Sequence, residues 1–590
     1  MRMIRRHKLG LAVKGACVLV LLAGLASSSL AIEDKACLQC HGDRDLKRKL
    51  SDGMKSCLFL DHKKFKVSVH GAYDVSCTDC HADIKKLNPD AKGKDVPHAV
   101  KLEPVKCLDC HSDEHASFVK SVHYKIRRKG ISLSCYSCHK YHQVKYISGY
   151  SAVERKNAFC VKCHTPEKSH NWLPQKKRHF SRVDCSVCHA PKAKRYVNLR
   201  IFDKTRNAFP TGKEILASLK TKQDEFMAVA DLDKDEQINA AELEKMFGVL
   251  RKDNLSPVLR GELLAELNPV VHEINVENAV RDCTKCHTPG APYYQNTSLS
   301  LLGDDNATEC YAVSGEVLGS FRLLPDFYAM SATRTRVVDY YGLLLILVTV
   351  SAVSLHFLVR VATVFQRRRK QREAPGPEQT GAVLMHTAAT RVWHWTRSVS
   401  IIALLLTGAQ IRYNDKWSFM LLSDAVSLHR IASILLIAAF VLWLAYSLTR
   451  GKIRDYFAHP LSFIKSGAGQ AIFYLTGYFG GKPDPHHPTP ENKFNTLQKM
   501  AYGATMFLVL PAQMVTGLLL SDIEEYGNGI DMLGGVKMVG TAHAALFFLV
   551  IAFLLVHLYM STMGKTPLQH IRTMITGHRD SSPIDTGQTE

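Results

Sequence analysis

The motif CxxCH occurs seven times in this chain, always before residue 288, and it takes up 14 of the 17 cysteines. The seven copies are Cys37-Cys40-His41, Cys77-Cys80-His81, Cys107-Cys110-His111, Cys135-Cys138-His139, Cys160-Cys163-His164, Cys185-Cys188-His189 and Cys283-Cys286-His287. Two thiols at this spacing add across the two vinyl groups of one haem, and the histidine that follows binds its iron. Zinc ribbons and thioredoxin-like pairs share CxxC but do not require that histidine. The sequence therefore predicts seven covalent c-type haems.

Each of these irons can take a second axial ligand, and histidine is a common choice. Between residue 32 and the first membrane-spanning segment, nine histidines lie outside the motifs, and of these we expect His62 to be an ordinary surface residue. The eight remaining candidates for distal ligands are His70, His98, His115, His123, His142, His170, His179 and His272. His98, His179 and His272 each precede a motif by about ten residues, which predicts that each folds back onto a nearby haem.

The chain starts with basic residues, an apolar run from Ala16 to Ala26 and small residues that end at Ala31. This pattern predicts a secretory signal peptide; the alternative is an uncleaved anchor, which usually needs about 20 apolar residues. Either way, the seven-haem region is exported. It offers about 44 residues per haem, so the haems must supply much of its apolar core. We expect short helices at the motifs, long loops and almost no sheet.

The formal net charge of +22 is interpreted as compensation for the haem propionates. Because basic and aromatic residues are not interleaved as in a nucleic-acid groove, we expect no nucleic-acid partner. Cys57 and Cys310 lie outside the motifs, either as free thiols or as one disulfide.

A stretch without haem motifs separates the sixth copy from the seventh. It contains oxygen-bearing side chains at positions 1, 3, 5, 7, 9 and 12 of a possible loop, Asp231, Asp233, Asp235, Gln237, Asn239 and Glu242. This spacing resembles an EF-hand calcium loop, with Ile238 at the apolar position 8. Position 6 is Glu236 instead of the glycine that the sharp turn favours. Calcium binding is the preferred interpretation, and a solvated acidic helix start is the alternative.

Five apolar segments follow, at about residues 339–365, 392–411, 428–448, 497–520 and 537–563. The first ends in a strongly basic run, residues 366–372, and the third is also followed by basic residues, whereas residues 521–525 are acidic. Basic loops remain in the cytoplasm. The sequence therefore predicts a protein of the bacterial inner membrane with five spans, a periplasmic c-haem domain and a cytoplasmic C-terminus.

Histidines inside membrane helices are costly and therefore indicate function. His543 and His557 are 14 residues apart on the last segment, so they point the same way, about 21 Å apart along the helix. Depth then pairs His394 with His557 near the cytoplasmic face and His429 with His543 near the outer face. Two bis-histidine b haems are predicted to be stacked across the bilayer. For His356 and His386 we expect no role beyond interfacial histidines.

Several segments resemble known families. Thr390-Arg-Val-Trp-His394-Trp, His429 in SLHRIAS and the two last-helix histidines look like the cytochrome b subunits of formate dehydrogenase and nickel-iron hydrogenase, over residues 383–575. Phe65-Lys-Val-Ser-Val-His70 and Phe118-Val-Lys-Ser-Val-His123 resemble the FxxSVH segment that carries a distal ligand in multihaem cytochromes, and His142 in CHKYH resembles their CHGxH ending. The segment 493–499 looks like the KYNxxQK sequence of the formate dehydrogenase b subunit, which implies quinone contacts at Asn495 and Gln498. A plain helix N-cap at Asn495 is the alternative.

These patterns predict a mainly α protein: an exported multihaem c-type domain with little regular secondary structure, and a membrane four-helix di-haem b bundle with one extra anchoring helix. The predicted divisions are a signal peptide (1–31), a c-haem domain (32–337) with a haem-free insert (195–275), a membrane helix (338–366), a cytoplasmic linker (367–382), a b-haem domain (383–575) and a cytoplasmic tail (576–590).

Taken whole, the chain resembles the inner-membrane quinol-oxidising cytochromes of metal-reducing bacteria. That resemblance implies oxidation of quinol, menaquinol in first place, with seven c haems and two b haems passing electrons to periplasmic c-type cytochromes in anaerobic or extracellular respiration. The chain would then act as a quinol:cytochrome c oxidoreductase, and an oligomer is compatible with the sequence. The alternatives are a membrane subunit that passes electrons from a dehydrogenase or hydrogenase to quinone, and a multihaem terminal reductase.

Overall fold

The computed structural model of the protein describes residues 32–49, 53–88, 90–91, 97–99, 101–303, 307–365, 381–457, 460–486, 488–490, 492–564 and 566–581. The predicted signal peptide, the basic run after residue 365, most of the predicted linker and the end of the tail lie outside these residues. The chain divides into two compact units. The first contains the chain up to Tyr150 together with Leu267–Val276, and the second contains Ser151–Glu266, Glu277–Gly303 and the chain from Thr308 onward.

The first unit carries motifs one to four on short elements, as the motif spacing predicts. Its helices are Asp34–His41, His62–Lys66, Val69–Ala72, Cys77–Cys80, Ser112–Val119, Val122–Lys125 and Cys135–Cys138, with 3-10 turns at Cys107–Asp109, Ile126–Lys129 and Pro269–His272. Strands Lys47–Lys49 and Lys55–Cys57 form a small hairpin. Serine and aspartate N-caps start many of these helices; Ser76, for example, forms a capping box with Asp79. Local capping stabilises helices that are too short to form alone.

The second unit contains a four-stranded sheet. We number its strands β1 (Arg195–Asp203), β2 (Pro257–Ala265), β3 (Thr297–Leu302) and β4 (Thr308–Ala312), and their order is β2-β1-β3-β4. β1 pairs antiparallel with β2 and parallel with β3. The expectation of almost no sheet is therefore wrong. Its physical reason is that the haem-free insert and the segment after motif seven together form an apolar core, in which Leu199, Leu259 and Leu299 are fully buried.

Other short helices of this unit are Ala152–Arg155, Pro166–Ser169, Lys176–Arg182, Cys185–His189, Gly212–Ser218, Phe226–Ala230, Ala240–Lys252, Pro460–Ile472, Gly527–Met532 and Gln569–Thr576, with a π turn at Lys156–Cys160 and 3-10 turns at Cys283–Lys285, Pro292–Tyr294, Gly315–Gly319 and Lys452–Tyr456. Strands Gly381–Leu384 and His578–Ser581 pair antiparallel. These strands bracket the b-domain sequence and bring its two ends together.

Five long helices pack into one bundle, which we call the membrane bundle. We number them α1 (Arg336–Ala362), α2 (Ala388–Arg412), α3 (Leu422–Thr449), α4 (Thr496–Ser521) and α5 (Val536–Met560). All except α2 are long and apolar enough to cross a membrane, among the described residues. α2 has 25 residues but includes several arginines, so the count of five spans stays a prediction. α4 contains a π turn at Thr505–Val509, just before Pro511, whose missing N–H interrupts the regular hydrogen bonding.

The helices pack in pairs, α2 along α3 and α5 against both α1 and α4. The α1–α5 contact is close because Gly342 faces Phe548. A Cβ atom at position 342 would clash with the Phe548 ring. The bundle therefore includes the anchoring helix α1, which precedes the region predicted to bind the b haems.

Candidate haem sites

Six of the seven motif histidines lie opposite a second histidine ring. The ring centroids are 6.2 Å apart for His41 and His98, 6.1 Å for His70 and His111, 6.3 Å for His81 and His142, 6.2 Å for His139 and His272, 5.9 Å for His170 and His189, and 6.1 Å for His179 and His287. A metal–imidazole bond is about 2 Å long and the centroid lies about 1 Å further, so two rings on opposite faces of one iron are about 6 Å apart. All six pairs fit two-histidine ligation.

The partners differ from the local expectation for three histidines. His98 lies opposite His41, His179 opposite His287 and His272 opposite His139, and none lies opposite the histidine of the motif that follows it. His170, in contrast, does lie opposite His189, the histidine of the motif that follows it. For the haem of His164 the distal ligand stays a prediction, with His115 and His123 as candidates.

The two FxxSVH segments fold alike. Ser68 accepts a hydrogen bond from the Gly71 N–H and Ser121 accepts one from the Tyr124 N–H, both at 3.2 Å, so each serine caps a one-turn helix that carries the histidine. The valine after each serine donates its N–H to a distant carbonyl, Val69 to Val144 and Val122 to Ile274. Those acceptors lie two residues after His142 and His272. The repeated sequence thus corresponds to a repeated way of fixing two candidate ligands at once.

Thiols of consecutive motifs lie close together within each unit. Cys37 is hydrogen-bonded to Cys77 and Cys107 to Cys135 in the first unit, and Cys160 to Cys185 in the second. Cys80 interacts electrostatically with Cys107, and Cys188 with Cys286. Haems attached at neighbouring thiols would be in near contact, the arrangement that electron transfer between cofactors needs. Cys57 and Cys310 are free, exposed thiols, so no disulfide joins them.

The membrane bundle brings four histidines together in two pairs. These are the pairs predicted from the depth of each histidine in the bilayer. His394 on α2 lies opposite His557 on α5, and His429 on α3 lies opposite His543 on α5. Both pairs have centroids 6.4 Å apart, the spacing expected of two ligands on one iron. We call them the His394 pair and the His429 pair.

Two threonines orient the rings of the His429 pair. Thr407 Oγ1 lies 2.9 Å from His429 Nδ1, and Thr516 Oγ1 lies 2.9 Å from His543 Nδ1. Each hydroxyl donates its own proton to a carbonyl one turn back, at 2.7 and 2.8 Å, so it accepts from the imidazole Nδ1–H. The unprotonated nitrogen is then Nε2, the form that a metal needs. The Gln513 side-chain amide lies 3.1 Å from His543 Nε2, next to the position that an iron would take.

A glycine follows each of these threonines and leaves room beside the ring. A Cβ atom at Gly408 would lie 3.3 Å from His429 Cε1, and one at Gly517 would lie 3.1 Å from His543 Cε1. Sequence reasoning missed both positions. The signal that could have found them is the Thr-Gly dipeptide, which occurs on both α2 and α4. The first dipeptide faces His429 on α3 and the second faces His543 on α5.

The His394 pair lies in an aromatic environment. Phe553 stacks on His557 at 5.6 Å, and Tyr502 contacts the same ring at 5.9 Å. The guanidinium of Arg397 lies 3.9 Å from the centroid of the Trp393 ring, one turn from His394. His394 Nδ1 is buried and has no hydrogen-bond partner among the described residues. A positive charge and an unused ring nitrogen fit a haem with its carboxylates.

Asn495 and Gln498, the predicted quinone contacts, form a capping box at the start of α4. The Asn495 side chain accepts from the Gln498 N–H at 2.8 Å, and the Gln498 side chain accepts from the Asn495 N–H at 3.0 Å. The helix N-cap is therefore real. Asn495 also has a second contact, because its Nδ2 donates to the Tyr474 hydroxyl at 3.1 Å. The buried amide is thus shared between the cap and a tyrosine.

His356 on α1 belongs to the same neighbourhood, which the sequence did not predict. Its Nε2 lies 3.0 Å from the Tyr474 carbonyl and its Nδ1 lies 2.5 Å from the Tyr559 hydroxyl. The carbonyl can only accept, so Nε2 carries the proton and Nδ1 accepts from Tyr559. His386 lies before α2, and burial, together with the nearby charges of Lys493 and Arg391, lowers its pKa to about 4. Both histidines therefore have defined neighbours, and the expectation that they are interfacial stays a prediction.

The predicted calcium loop brings three carboxylates together. Ligand atoms of Asp231, Asp233 and Asp235 lie within 4.8 Å of one another. The Asp231 carboxylate accepts backbone N–H groups at three successive positions, 234 to 236, at 2.7–3.3 Å. Burial and the neighbouring carboxylates Asp235 and Glu242 raise the pKa of Asp233. A divalent cation would relieve that repulsion.

Glu236 takes the backbone conformation that a glycine usually provides. Its φ is 66°, in the left-handed region, at a cost of roughly 1 kcal/mol for a residue with a side chain. Ile238 exchanges backbone hydrogen bonds with Ala312 and Ser314, which ties the loop to the end of the sheet. Glu242 accepts from the Leu232 N–H at 2.6 Å. The departure at position 6 therefore does not prevent an EF-hand-like turn.

We predict that calcium stabilises this loop. In the full-length protein, calcium at about 100 times its Kd should raise the free energy of unfolding of the insert by about 2.7 kcal/mol. Hydrogen exchange of residues 226–252 with and without a chelator measures this protection, and haem content should not change. Asp231→Ala and Glu242→Ala should abolish the calcium effect, and Asp253→Ala, outside the loop, should retain it. Equal calcium protection in all three variants would show that the loop is not a calcium site.

Comparison with known proteins shows similarities that lie in the membrane half. Residues 385–577 match the sequence profile of the prokaryotic cytochrome b561 family. The Escherichia coli (strain K12) protein YdhU, provisionally named a cytochrome, is 28% identical over 197 residues, which are 33% of this chain and 74% of YdhU. These similarities support a membrane-bound electron-transfer domain of the cytochrome b type in residues 385–577, with haem b as the cofactor that the family implies.

Proposed function

We propose that this protein oxidises quinol and delivers the electrons through two b haems and seven c haems to periplasmic c-type cytochromes. Menaquinol is the first candidate for the quinol. The observation that carries the proposal is the presence in one chain of eight histidine pairs with ring centroids 5.9–6.4 Å apart, six beside CxxCH motifs and two in the membrane bundle. Haem supplies the one-electron redox chemistry. The residues hold, orient and shield it.

The proposed ligands of the b haems are His394 with His557 and His429 with His543. Thr407 and Thr516 support this role because they leave Nε2 of the His429 pair free of its proton. For the c haems we propose the motif histidines with the opposing rings described above. The close thiols of consecutive motifs support a continuous series of haems within each unit.

We place quinol oxidation beside the His394 pair. Asn495 is 4% exposed, and its side-chain amide donates to the Tyr474 hydroxyl. The Tyr474 backbone carbonyl accepts from His356 Nε2, and His356 Nδ1 accepts from the Tyr559 hydroxyl. This connected group of hydrogen-bonding residues can bind a quinol hydroxyl and accept its proton. Gln498 supports the site indirectly through the capping box, since its carbonyl oxygen is already used there.

The proposed topology is five spans with α2 as the fifth, a cytoplasmic C-terminus and the motif-bearing region in the periplasm. Electrons that leave the cytoplasmic side for the periplasm move down an inside-negative potential, worth up to about 2.3 kcal/mol each per 100 mV. Outward flow would therefore dissipate membrane potential, which a respiratory chain can accept when its electron acceptor lies outside the cell membrane.

The two alternative functions differ from the proposal in different ways. A dehydrogenase subunit would reverse the direction of electron flow, and a terminal reductase would need an iron with an open coordination position. A subunit that passes electrons from a dehydrogenase to quinone fits the b561 match alone, but the attached motif region already supplies a partner on the exported side. A terminal reductase needs an open iron position. Opposing histidines at six motif sites leave no such position there.

Quinol mixing and a haem count test the proposal together. We predict seven covalent haems and two that acid acetone extracts. After anaerobic mixing of the purified protein with a menaquinol analogue, b-haem absorbance should change first and c-haem absorbance should follow. Dithionite reduction gives the total for comparison. Reduction of c haems without b haems, or more than two extractable haems, would contradict the proposal.

A further inference from the structure

A helix of the motif-bearing region is fixed to the end of the membrane bundle. Gln175 precedes the helix Lys176–Arg182, and its Nε2 donates to the carbonyls of Leu520 and Ser521 at 2.7 and 2.8 Å. The last carbonyls of a helix have no partner within it, so the side chain completes the end of α4. Gln175 itself has φ 52°, a left-handed conformation that costs about 1 kcal/mol and indicates a specific contact.

Charged residues reinforce the same contact. Arg178 Nη1 lies 2.8 Å from Glu524 Oε1, and Ser181 Oγ donates to the same oxygen at 3.0 Å. Arg178 also donates to the Asp326 carbonyl. Lys177 is more exposed and lies 3.3 Å from Asp522. Because Arg178 is only 16% exposed and Glu524 33%, their pair is shielded from water more than a typical surface pair.

A second contact holds the start of α5. Lys537 is 2% exposed, and its ammonium donates to the carbonyls of Leu318 and Ser320, to the latter at 2.9 Å. Three residues further on, Gly540 packs against the Tyr328 ring, and a Cβ atom there would lie 2.9 Å from it. Two separate segments of the motif-bearing region therefore contact two adjacent membrane helices. We call the contacts of residues 175–182 with residues 520–525 the seat.

The seat lies between two candidate haem sites. On one side, His179 is one turn after Gln175, about 6 Å along the helix, and faces His287 of motif seven. On the other side, Thr516, the partner of His543, precedes Ser521 by five residues, about 7.5 Å of helix. The same two helices that form the seat thus carry His179, a candidate ligand of the motif-seven haem, and Thr516, which orients a ring of the His429 pair.

We propose that the seat holds the His179–His287 site against the end of the bundle, so that motif seven receives electrons from the membrane domain. Gln175, Arg178 and Glu524 are positioning residues in this role. The inference rests on the proposed function, and it adds that motif seven, although last in sequence, is first in the exported series. The thiols of motifs seven and six lie close together, as do those of six and five, which gives the direction of onward transfer.

The test is a charge exchange in the full-length protein. Arg178→Glu and Glu524→Arg each place like charges together, and the double variant restores opposite charges. Arg251→Glu on the insert, which breaks an exposed ion pair with Glu244, is the control. The first readout is hydrogen exchange of residues 174–182 and 518–526. The second is the separate time course of b-haem and c-haem reduction after mixing with a menaquinol analogue, alongside the haem count and the low-spin spectrum.

Each single variant should exchange faster at both segments and slow c-haem reduction by about tenfold or more, because misplacing two reacting groups is costly. Its b haems should still be reduced at the parental rate. The double variant should recover both readouts, and the control should change neither. Parental c-haem reduction in a single variant with fast exchange would overturn the proposal. Fast hydrogen exchange at residues 518–526 in the parental protein would also overturn the proposal, because the seat should protect these amides. This readout does not depend on quinol, so it tests the seat separately from the proposed function.

Discussion

Replacing His557 by alanine should remove one b haem and abolish quinol-driven reduction of the c haems. The ring faces His394 at 6.4 Å, so its loss leaves the iron with one protein ligand and opens a cavity beside Phe553 and Tyr502. The measurements are extractable haem per chain and c-haem absorbance after quinol mixing. Dithionite should still reduce all seven c haems.

The matched control is His578→Ala. This ring is exposed in the strand after the bundle, so both b haems and the quinol reaction should remain. Added imidazole should partly restore haem to His557→Ala by filling the vacated ligand position. Two extractable haems in His557→Ala, or a parental rate of quinol-driven reduction, would contradict ligation by this histidine.

Variants of Asn495 separate the quinol contact from the helix cap. Asn495→Ala removes both and should lower stability by about 1 kcal/mol. Asn495→Ser keeps an N-cap acceptor but loses the amide that donates to Tyr474. Slow quinol oxidation in both variants, with both b haems present, supports a quinol site here. Slow oxidation in the alanine variant alone would assign Asn495 to the cap. Parental rates in both would move the site elsewhere, with the His429 pair as the next candidate.

The parts of this protein that could be predicted from sequence depend on short-range geometry. A CxxCH motif places its thiols and histidine within one turn, so the seven proposed attachment sites are predicted from spacing alone. The 14 residues between His543 and His557 equal almost four turns, so one helix face and two depths also follow. The EF-hand-like turn is similar, although Glu236 had to adopt a left-handed φ of 66° to form it.

The parts that could not be predicted depend on contacts between distant segments. His272 lies opposite His139, and the sequence between them gives no sign of that pairing. The four-stranded sheet was missed for a related reason. Its strands β1 and β2 lie on either side of the calcium-like loop, and β3 follows motif seven, so the pairs that β1 forms join distant segments. The consecutive strands β3 and β4 pair locally, but that hairpin alone does not indicate a four-stranded sheet. Assigning much of the apolar core to haem left no place in the prediction for strands that bury their own leucines.

Enlarging Gly517 to valine should expel the haem of the His429 pair. A Cβ atom at this position already lies 3.1 Å from His543 Cε1, so methyl groups beyond it would push the ring from its place opposite His429. Overpacking of this kind costs about 1–3 kcal/mol. The expected result is one extractable haem instead of two, with the His394 pair still reduced by quinol. Electrons should then stop in the membrane domain and leave the c haems oxidised.

Variants of other glycines and a smaller change at Gly517 test whether the loss of haem follows the space beside each ring. Gly408→Val should have the same effect but more weakly, because its Cβ atom would lie 3.3 Å from His429 Cε1 instead of 3.1 Å. Gly517→Ala should retain haem at reduced occupancy, since the ring needs to move by only a few tenths of an ångström. Gly469→Val is the control, because no atom lies within 4 Å of a Cβ there. Full b-haem content in Gly517→Val would mean that His543 can shift without losing its iron, and the pair would then not be the rigid site that Thr516 and Thr407 indicate.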